Sequence, residues 1–291
     1  MAETVMGIDV SSHQGAIDWA RVRESNVGFA ILRAGYGKYT AQADKRFSEN
    51  YAACKRLGIP VGAYWYSYAV SIADAEAEAE TALEILRGKQ FAYPIFFDIE
   101  DKVQLALSKT IVQEIAETFC HRLEANNYFV GIYSYKTFLE QNFSERILRR
   151  YAVWVAQTGV PQTNYRYPYG IWQYSHTGSV SGIRGAVDLD ASVIDYPAQI
   201  RAAEKNGFVP QNCPYAEPHR PVRYGDTGEA VRWMQCRLAV HGFPCGISGV
   251  DGRFGPDTRA ALLGFQHRND LETDGVCGPR TRAKLAAAPN F

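Results

Sequence analysis

Along about the first two hundred residues, short apolar runs rich in β-branched and aromatic side chains alternate with stretches of helical period. "VMGID" reads as a strand, and a helix follows near "IDWARVRE" with Asp18 as its cap. "VGFAILRAG" is a second strand, and "ADKRFSENYAACKRLG" a helix closed by Gly58. "IPVGAYWYSYA" is a third strand. The next segment, "SIADAEAEAETALEILRG", mimics period two, but its alanines and glutamates favour helix and Gly88 supplies a stop. "YPIFFDIE" is a fourth strand, followed by a helix in "SKTIVQEIAETFCHRLEANN", where Ile111, Ile115 and Phe119 share one stripe. "YFVGIYSY" is a fifth, followed by one helix through "YKTFLEQNFSERILRR". Then the rhythm changes: "YAVWVAQ", "YGIWQYS" and "GAVDLDASV" read as strands whose connections lack a helical pattern.

Five strand–helix units plus three strands predict an α/β fold, an irregular (β/α) barrel of the (β/α)5(β)3 kind over residues 1–205. Residues 206–221 follow as a linker stiffened by Pro210, Pro214, Pro218 and Pro221. Residues 222–291 form a second unit with an imperfect repeat, "DGRFGPDTRAAL" from Asp251 and "DGVCGPRTRAKL" from Asp274. In each copy a Gly-Pro pair opens a helix, the glycine allowing a tight turn and the proline suiting the first helical position. Two copies are too few for a solenoid and fit two loop–helix elements of a small all-α domain.

Composition narrows the function classes. Thirty-one basic residues balance thirty-one acidic ones, so no bulk field draws the chain to nucleic acid or membrane. The start "MAETVMGIDVSS" lacks the basic end and apolar run of a signal peptide, and no window is apolar enough to span a bilayer. The expectation is synthesis in the cytoplasm without a signal peptide and no membrane insertion. No cysteine pair has C-x-x-C spacing, so neither a metal nor a cofactor is expected. Cys54 and Cys120 read as buried thiols; Cys213, Cys236, Cys245 and Cys277 leave the disulfide state open.

The chemistry gathers where strands end. Asp98 and Glu100 in "FFDIE" share one strand face about 7 Å apart, a costly pairing of like charges unless it is used. Asp9 and Asp188 fall near other strand ends, where barrel enzymes place their active sites. Glycoside cleavage needs a proton for the leaving oxygen and a carboxylate beside the cationic centre. Chain order makes Glu100 the proton donor and Asp98 the stabilising carboxylate. Tyr64, Tyr66 and Tyr68 share a face of the third strand, Tyr133 closes the fifth, and Trp172 to Tyr174 lie on the seventh. Such rings suit the apolar faces of sugars, while core packing claims Trp65 and Trp154. His13 reads as a hydrogen-bonding loop residue. No serine-hydrolase elbow, phosphate loop or H-E-x-x-H helix is present.

"GIDVSSHQGAIDW", "FAILRAGYG", "GIPVGAYWYSYA", "PIFFDIE", "GIYSY", "VWVAQ", "WQYS" and "VDLD", in this order, resemble glycoside hydrolase family 25, the Chalaropsis-type lysozymes. The resemblance implies N-acetylmuramidase activity: cleavage of the β-1,4 bond from N-acetylmuramic acid to N-acetylglucosamine in peptidoglycan, without a cofactor. It implies Glu100 as acid, Asp98 as its partner, Asp9 and Asp188 as further carboxylates, and Arg33, Tyr64, Tyr66, Tyr133 and Trp172 along the substrate groove. Asp190, two residues past Asp188, competes for the last carboxylate role. Retaining, inverting and substrate-assisted routes stay open from spacing alone; for this family the substrate-assisted one is favoured, with Asp98 orienting the acetamido group. A family 18 chitinase would need aspartates where Tyr93 and Phe96 stand. Residues 222–287 resemble the peptidoglycan-binding domain 1 family, with Gln235 and Gln266 at its usual glutamine positions. A wall hydrolase without a signal peptide resembles a phage or prophage endolysin, with a bacterial autolysin or an inactive wall-binding protein as alternatives.

Overall fold

The computed structural model describes residues 4–208, 213–246 and 248–287. Of the expected linker, Pro210 lies outside these residues. Eight strands close a barrel in sequence order: β1 (Val5–Val10), β2 (Phe29–Tyr36), β3 (Val61–Tyr66), β4 (Ile95–Asp98), β5 (Val130–Tyr135), β6 (Ala152–Ala156), β7 (Ile171–Gly178) and β8 (Val187–Ser192). Neighbours from β1 through β7 run parallel, whereas β8 is antiparallel to both β7 and β1. The reversal follows from the short turn over residues 179–186, which leaves no room for the crossover a parallel pair needs. The predicted (β/α)5(β)3 barrel is the fold found.

Seven helices accompany the barrel: α1 (Trp19–Glu24), α2 (Phe47–Leu57), α3 (Ile72–Leu86), α4 (Lys109–Ala125), α5 (Lys136–Asn142), α6 (Glu145–Arg150) and α7 (Tyr196–Ala202). Asp18 caps α1 by accepting from the Arg21 amide, and Gly58 ends α2 at a left-handed φ of 71°. The single helix expected between Tyr135 and Arg150 is two. Phe143 is extended (φ −106°, ψ 144°) and buried beside Phe138, so tertiary packing overrides the helical period there.

Alternation along each strand separates two cores. Ile8, Leu32, Trp65, Phe97, Ile132 and Val155 face the helices. Phe29, Ile31, Tyr64, Phe96, Tyr133, Trp154 and Ile171 fill the barrel itself. Burying rings of this size contributes roughly 2 kcal/mol each. They fit because Gly7 and Gly131 leave space: a Cβ at either would overlap the ring of Phe29 or Phe96. Above this packed floor the inward positions turn polar.

The C-terminal unit is a helical module of α8 (Glu229–Val240), α9 (Pro256–Arg268) and α10 (Pro279–Ala286) around Met234, Leu238, Leu262, Phe265 and Leu285. Pro256 and Pro279 open their helices as expected. The glycines before them are in extended backbone, however. The left-handed ones are Gly252 and Gly275, each directly after the repeat's aspartate, at φ 79° and 70°. Gln90 ties module to barrel, its Nε2 donating to Ala239 O at 2.8 Å. All six cysteines are free thiols, with Cys236 next to Cys213. Among the described residues no helix is long and apolar enough to cross a membrane.

Candidate active site

Asp9 ends the inward face of β1 and pairs across the ladder with Asp188 of β8, as Gly7 pairs with Asp190. Because side chains alternate, Asp9, Asp188 and Asp190 all point into the barrel mouth. On the opposite wall Asp98 closes β4, in register with Tyr66 on one side and Tyr133 on the other. Glu100 lies just beyond the strand rather than on it. Its segment is held by three bonds: the Ser67 amide donates to Asp98 O (2.9 Å), the Ile99 amide to Tyr133 O (3.1 Å) and the Ser134 hydroxyl to Ile99 O (2.6 Å). The mouth thus holds five carboxylates, and none is there by accident of a loose loop.

Their hydrogen bonds are uneven. Asp9 accepts from Gln173 Nε2 at 2.7 Å, and Gln173 Oε1 in turn accepts from the Tyr133 hydroxyl at 2.9 Å. Asp190 accepts from Trp154 Nε1 at 2.9 Å through one oxygen, while its other oxygen has no partner beyond what it shares with Asp9. Asp98 is buried and its Oδ1 has no hydrogen-bond partner at all.

Burial dominates the electrostatics, with mutual repulsion adding to it. It pushes the Asp98 carboxyl well up, Glu100 pushes it further, and the Arg33 guanidinium pulls it back. Asp9 is raised by burial and by Asp190 and Asp188, against the bond from Gln173. Asp188 is raised by burial and lowered by His176. Glu100 is pushed up to about 7, first by burial and then by Asp188 and Asp101, while the neighbouring Tyr133 hydroxyl opposes the shift. A carboxylic acid half-protonated near neutrality is what proton donation at that pH requires.

Two clefts flank the Asp98–Glu100 segment. One, about 410 Å3, is lined by Glu100, Tyr133, Tyr135, Gln157, Gln173 and His176. The other, about 530 Å3, is lined by Ser12, His13, Arg33, Tyr36, Tyr66 and Tyr68 among others. Arg33 is fixed there, its Nε donating to Asp44 Oδ2 at 2.8 Å and its Nη2 to the Ser12 hydroxyl at 3.0 Å. Tyr66 donates to Asp101 Oδ2 at 3.0 Å and meets the exposed Tyr68 edge to face. Tyr64 is buried beneath the mouth against Trp154. Exposed His13 lines the second cleft.

Asp9, Asp98, Glu100, Asp188, Arg33, Tyr64, Tyr66 and Tyr133 are therefore brought together. Trp172 is not: it sits one residue out of phase with Gln173, packs against the outer core and donates its Nε1 to Gln157 O at 2.8 Å. The inward residue of "WQY" is Gln173, and an amide between two large aromatic residues was the signal for it. Asp44, Asp101 and His176 carried no such signal. Trp154, expected to pack only, also holds Asp190. Among the described residues no group of His, Cys, Asp or Glu is arranged to hold a metal ion.

Residues 8–183 match the model of glycosyl hydrolases family 25, and residues 227–285 match that of a peptidoglycan binding domain. The chain is 29% identical over 276 residues to an autolytic lysozyme of Clostridium acetobutylicum, covering 94% of this chain and 76% of the relative. A bacterial lysozyme from Streptomyces coelicolor superposes with a TM-score of 0.61 at 28% identity, over 70% of this chain and 98% of that one. The modular autolysin LytC of Streptococcus pneumoniae, solved with a synthetic peptidoglycan ligand, superposes with a TM-score of 0.58 at 30% identity. That match covers 65% of this chain and 46% of the longer autolysin.

Proposed function

The chain belongs to glycosyl hydrolases family 25, and from that premise we propose that it is an N-acetylmuramidase of bacterial peptidoglycan. The observation that carries this reading is Glu100, raised to about 7 at the mouth of a cleft beside the buried, unpartnered Asp98. Glu100 delivers its proton to the glycosidic oxygen as the bond from the anomeric carbon breaks. Asp98 orients the substrate's acetamido group, whose carbonyl oxygen attacks that carbon. Water then opens the intermediate, giving its proton to the Glu100 carboxylate and restoring the acid. Asp9, Asp188 and Asp190 line the mouth with carboxyl oxygens, which support the developing positive charge. Tyr66 and Tyr133 flank the reacting sugar, and Arg33 limits the rise of Asp98.

The helical module is proposed to hold the wall while the barrel cuts. Synthesis in the cytoplasm and release as a phage endolysin is the biological setting we favour, and an autolysin would use the same chemistry. A holin gene beside the coding sequence supports the endolysin; its absence favours the autolysin. The activity is tested by turbidity of Gram-positive walls, followed by borohydride reduction of the new ends. Reduced muramic acid is expected. Reduced glucosamine alone, or no lysis by the wild type, would overturn the reading.

A further inference from the structure

The end of the linker is already laid against the module. Tyr215 packs on the module core, Glu217 pairs with Arg282 of α10 (3.6 Å), and Val222 exchanges backbone hydrogen bonds with Cys277. At the head of this segment stands Cys213, which Pro214 biases towards extended backbone. Its Sγ lies 3.9 Å from Trp233 O on α8. One helical turn further along that face is Cys236, and the two thiols are neighbours. The Cys236 thiol is pushed up to about 12, first by burial and then by Cys213. Their exposure differs: Cys213 is half-buried, whereas Cys236 and the other four cysteines are buried. Chain order adds a consequence. Only residues 209–212 separate Cys213 from Phe208, which is buried in the barrel's inner core. On α8 itself, Ala239 lies one turn beyond Cys236 and accepts from Gln90 of the barrel.

We propose that Cys213 and Cys236 form a redox-sensitive pair, closed to a disulfide by a low-molecular-weight disulfide outside the cell, which fastens α8 of the module to the end of the barrel. Cys213 is the thiol an oxidant can reach. As a thiolate it attacks one sulfur of the small disulfide, forming a mixed disulfide and expelling one small thiol. The Cys236 sulfur then attacks the Cys213 sulfur, closing the protein disulfide and expelling the second small thiol. Both cysteine protons end on the two expelled thiols, so two cysteines are oxidised and one small disulfide is reduced. Side chains that already stand next to each other suit the short approach a disulfide needs. Closing the 213–236 loop restricts the unfolded chain and so stabilises the module. It also replaces the route from Phe208 to α8 through the whole linker with one through residues 209–212. A reducing cytoplasm keeps the pair open, and an oxidising wall closes it. The pair is independent of the proposed glycosidase reading, since neither thiol belongs to the carboxylate mouth.

Oxidised glutathione added to the fully reduced, full-length chain tests the pair. Thiol counting after denaturation should show two of the six cysteines lost, and peptide mapping should join Cys213 to Cys236. Dithiothreitol should restore both. Calorimetry of the oxidised chain should show the module transition raised by about 8 °C or more. Cys213→Ser, at the half-buried position, should keep all its remaining thiols under the same oxidant and show no such rise. The mapping needs no variant, so the pairing stays testable whatever that substitution does to folding. Survival of all six thiols in excess oxidant would overturn the proposal. So would a mixed disulfide on Cys213 that never closes, pairing with Cys245 or Cys277 instead, or a Cys213–Cys236 bond that leaves the melting temperature unchanged.

Discussion

Asp98 in the barrel and Gln235 in the module are both nearly sealed from solvent, 3% and 1% exposed, yet their polar atoms are treated in opposite ways. Gln235 Nε2 donates to Asp251 Oδ1 (2.8 Å), Thr258 Oγ1 (3.0 Å) and Arg253 O (3.2 Å), and its Oε1 accepts from the Gly252 amide (2.8 Å). Gln266 repeats the pattern with Asp274, Thr281, Val276 and the Gly275 amide. Each glutamine thereby pins the left-handed Asp-Gly turn that precedes a Gly-Pro helix start. Asp98 Oδ1 and Asp190 Oδ2 receive no such bonds, and the charges around them repel. Buried polar groups that are satisfied specify a fold; those left unsatisfied store free energy that a substrate can release. The module uses polarity for structure and the barrel mouth uses it for chemistry.

The most severe way to break that contrast is Glu100→Gln. Losing the proton donor is expected to cut wall lysis about 10³-fold; a variant lysing as fast as wild type would refute the assignment. Stability should move the other way. A carboxyl raised to about 7 in the fold and ordinary when unfolded contributes stability that is present below about pH 4.5 and lost as pH rises through 7. Glutamine has nothing to lose there. At pH 8 the variant should therefore be more stable by about 3 kcal/mol, with little difference at pH 4. Urea unfolding at the two pH values checks the sign.

Gln235→Ala is the converse test in the module. It strips the Gly252 amide of its acceptor and leaves Asp251 and Thr258 facing a cavity. A loss of about 3 kcal/mol is expected, confined to the module transition in calorimetry. Cleavage of a soluble glycan oligomer should be unchanged while wall binding falls. An equal loss of both would mean that the glutamine serves more than its own turn.

The two regions were also unequally legible in the sequence. Strand alternation and terminal carboxylates exposed the barrel and brought out Asp9, Asp98, Glu100 and Asp188, because period and charge are local properties. Phase was the weak point: "WQY" presents two large aromatic residues, yet the amide between them is what faces inward. Asp44 and Asp101 act by orienting Arg33 and Tyr66 from the loops that follow β2 and β4, which no local period encodes. In the module the repeat and the glutamines were both visible. Their connection was not, since it depends on a side chain reaching back to a turn from a neighbouring helix. The extended Phe143 that splits α5 from α6 likewise depends on what its ring meets.

The pH profile sharpens the comparison within the mouth. If Glu100 is the acid, kcat/KM should fall about tenfold per unit once pH exceeds 7. Tyr133→Phe removes the hydroxyl that holds Glu100 down, so the alkaline limb should move to higher pH. The direction distinguishes a role in tuning the acid from simple ring packing, which would lower the rate without moving the limb. A limb that stays fixed would count against a role of the hydroxyl in tuning Glu100.

The mildest test returns to the module and compares its two copies. Thr258 and Thr281 each accept from a glutamine, at 3.0 and 3.3 Å. Valine preserves the shape and removes the oxygen. Each glutamine keeps its aspartate, its backbone carbonyl and its glycine, so neither change leaves the amide bare. Thr258→Val is expected to cost about 1 kcal/mol, because the threonine hydroxyl also reaches Arg253 O. Thr281→Val, which removes a longer bond, should cost less. Chemical denaturation of the two variants measures the difference. A cost at Thr281 equal to that at Thr258 would show that the copies tolerate the loss alike despite their different bond lengths, and that redundancy around each glutamine, rather than any single bond, keeps the turns in place.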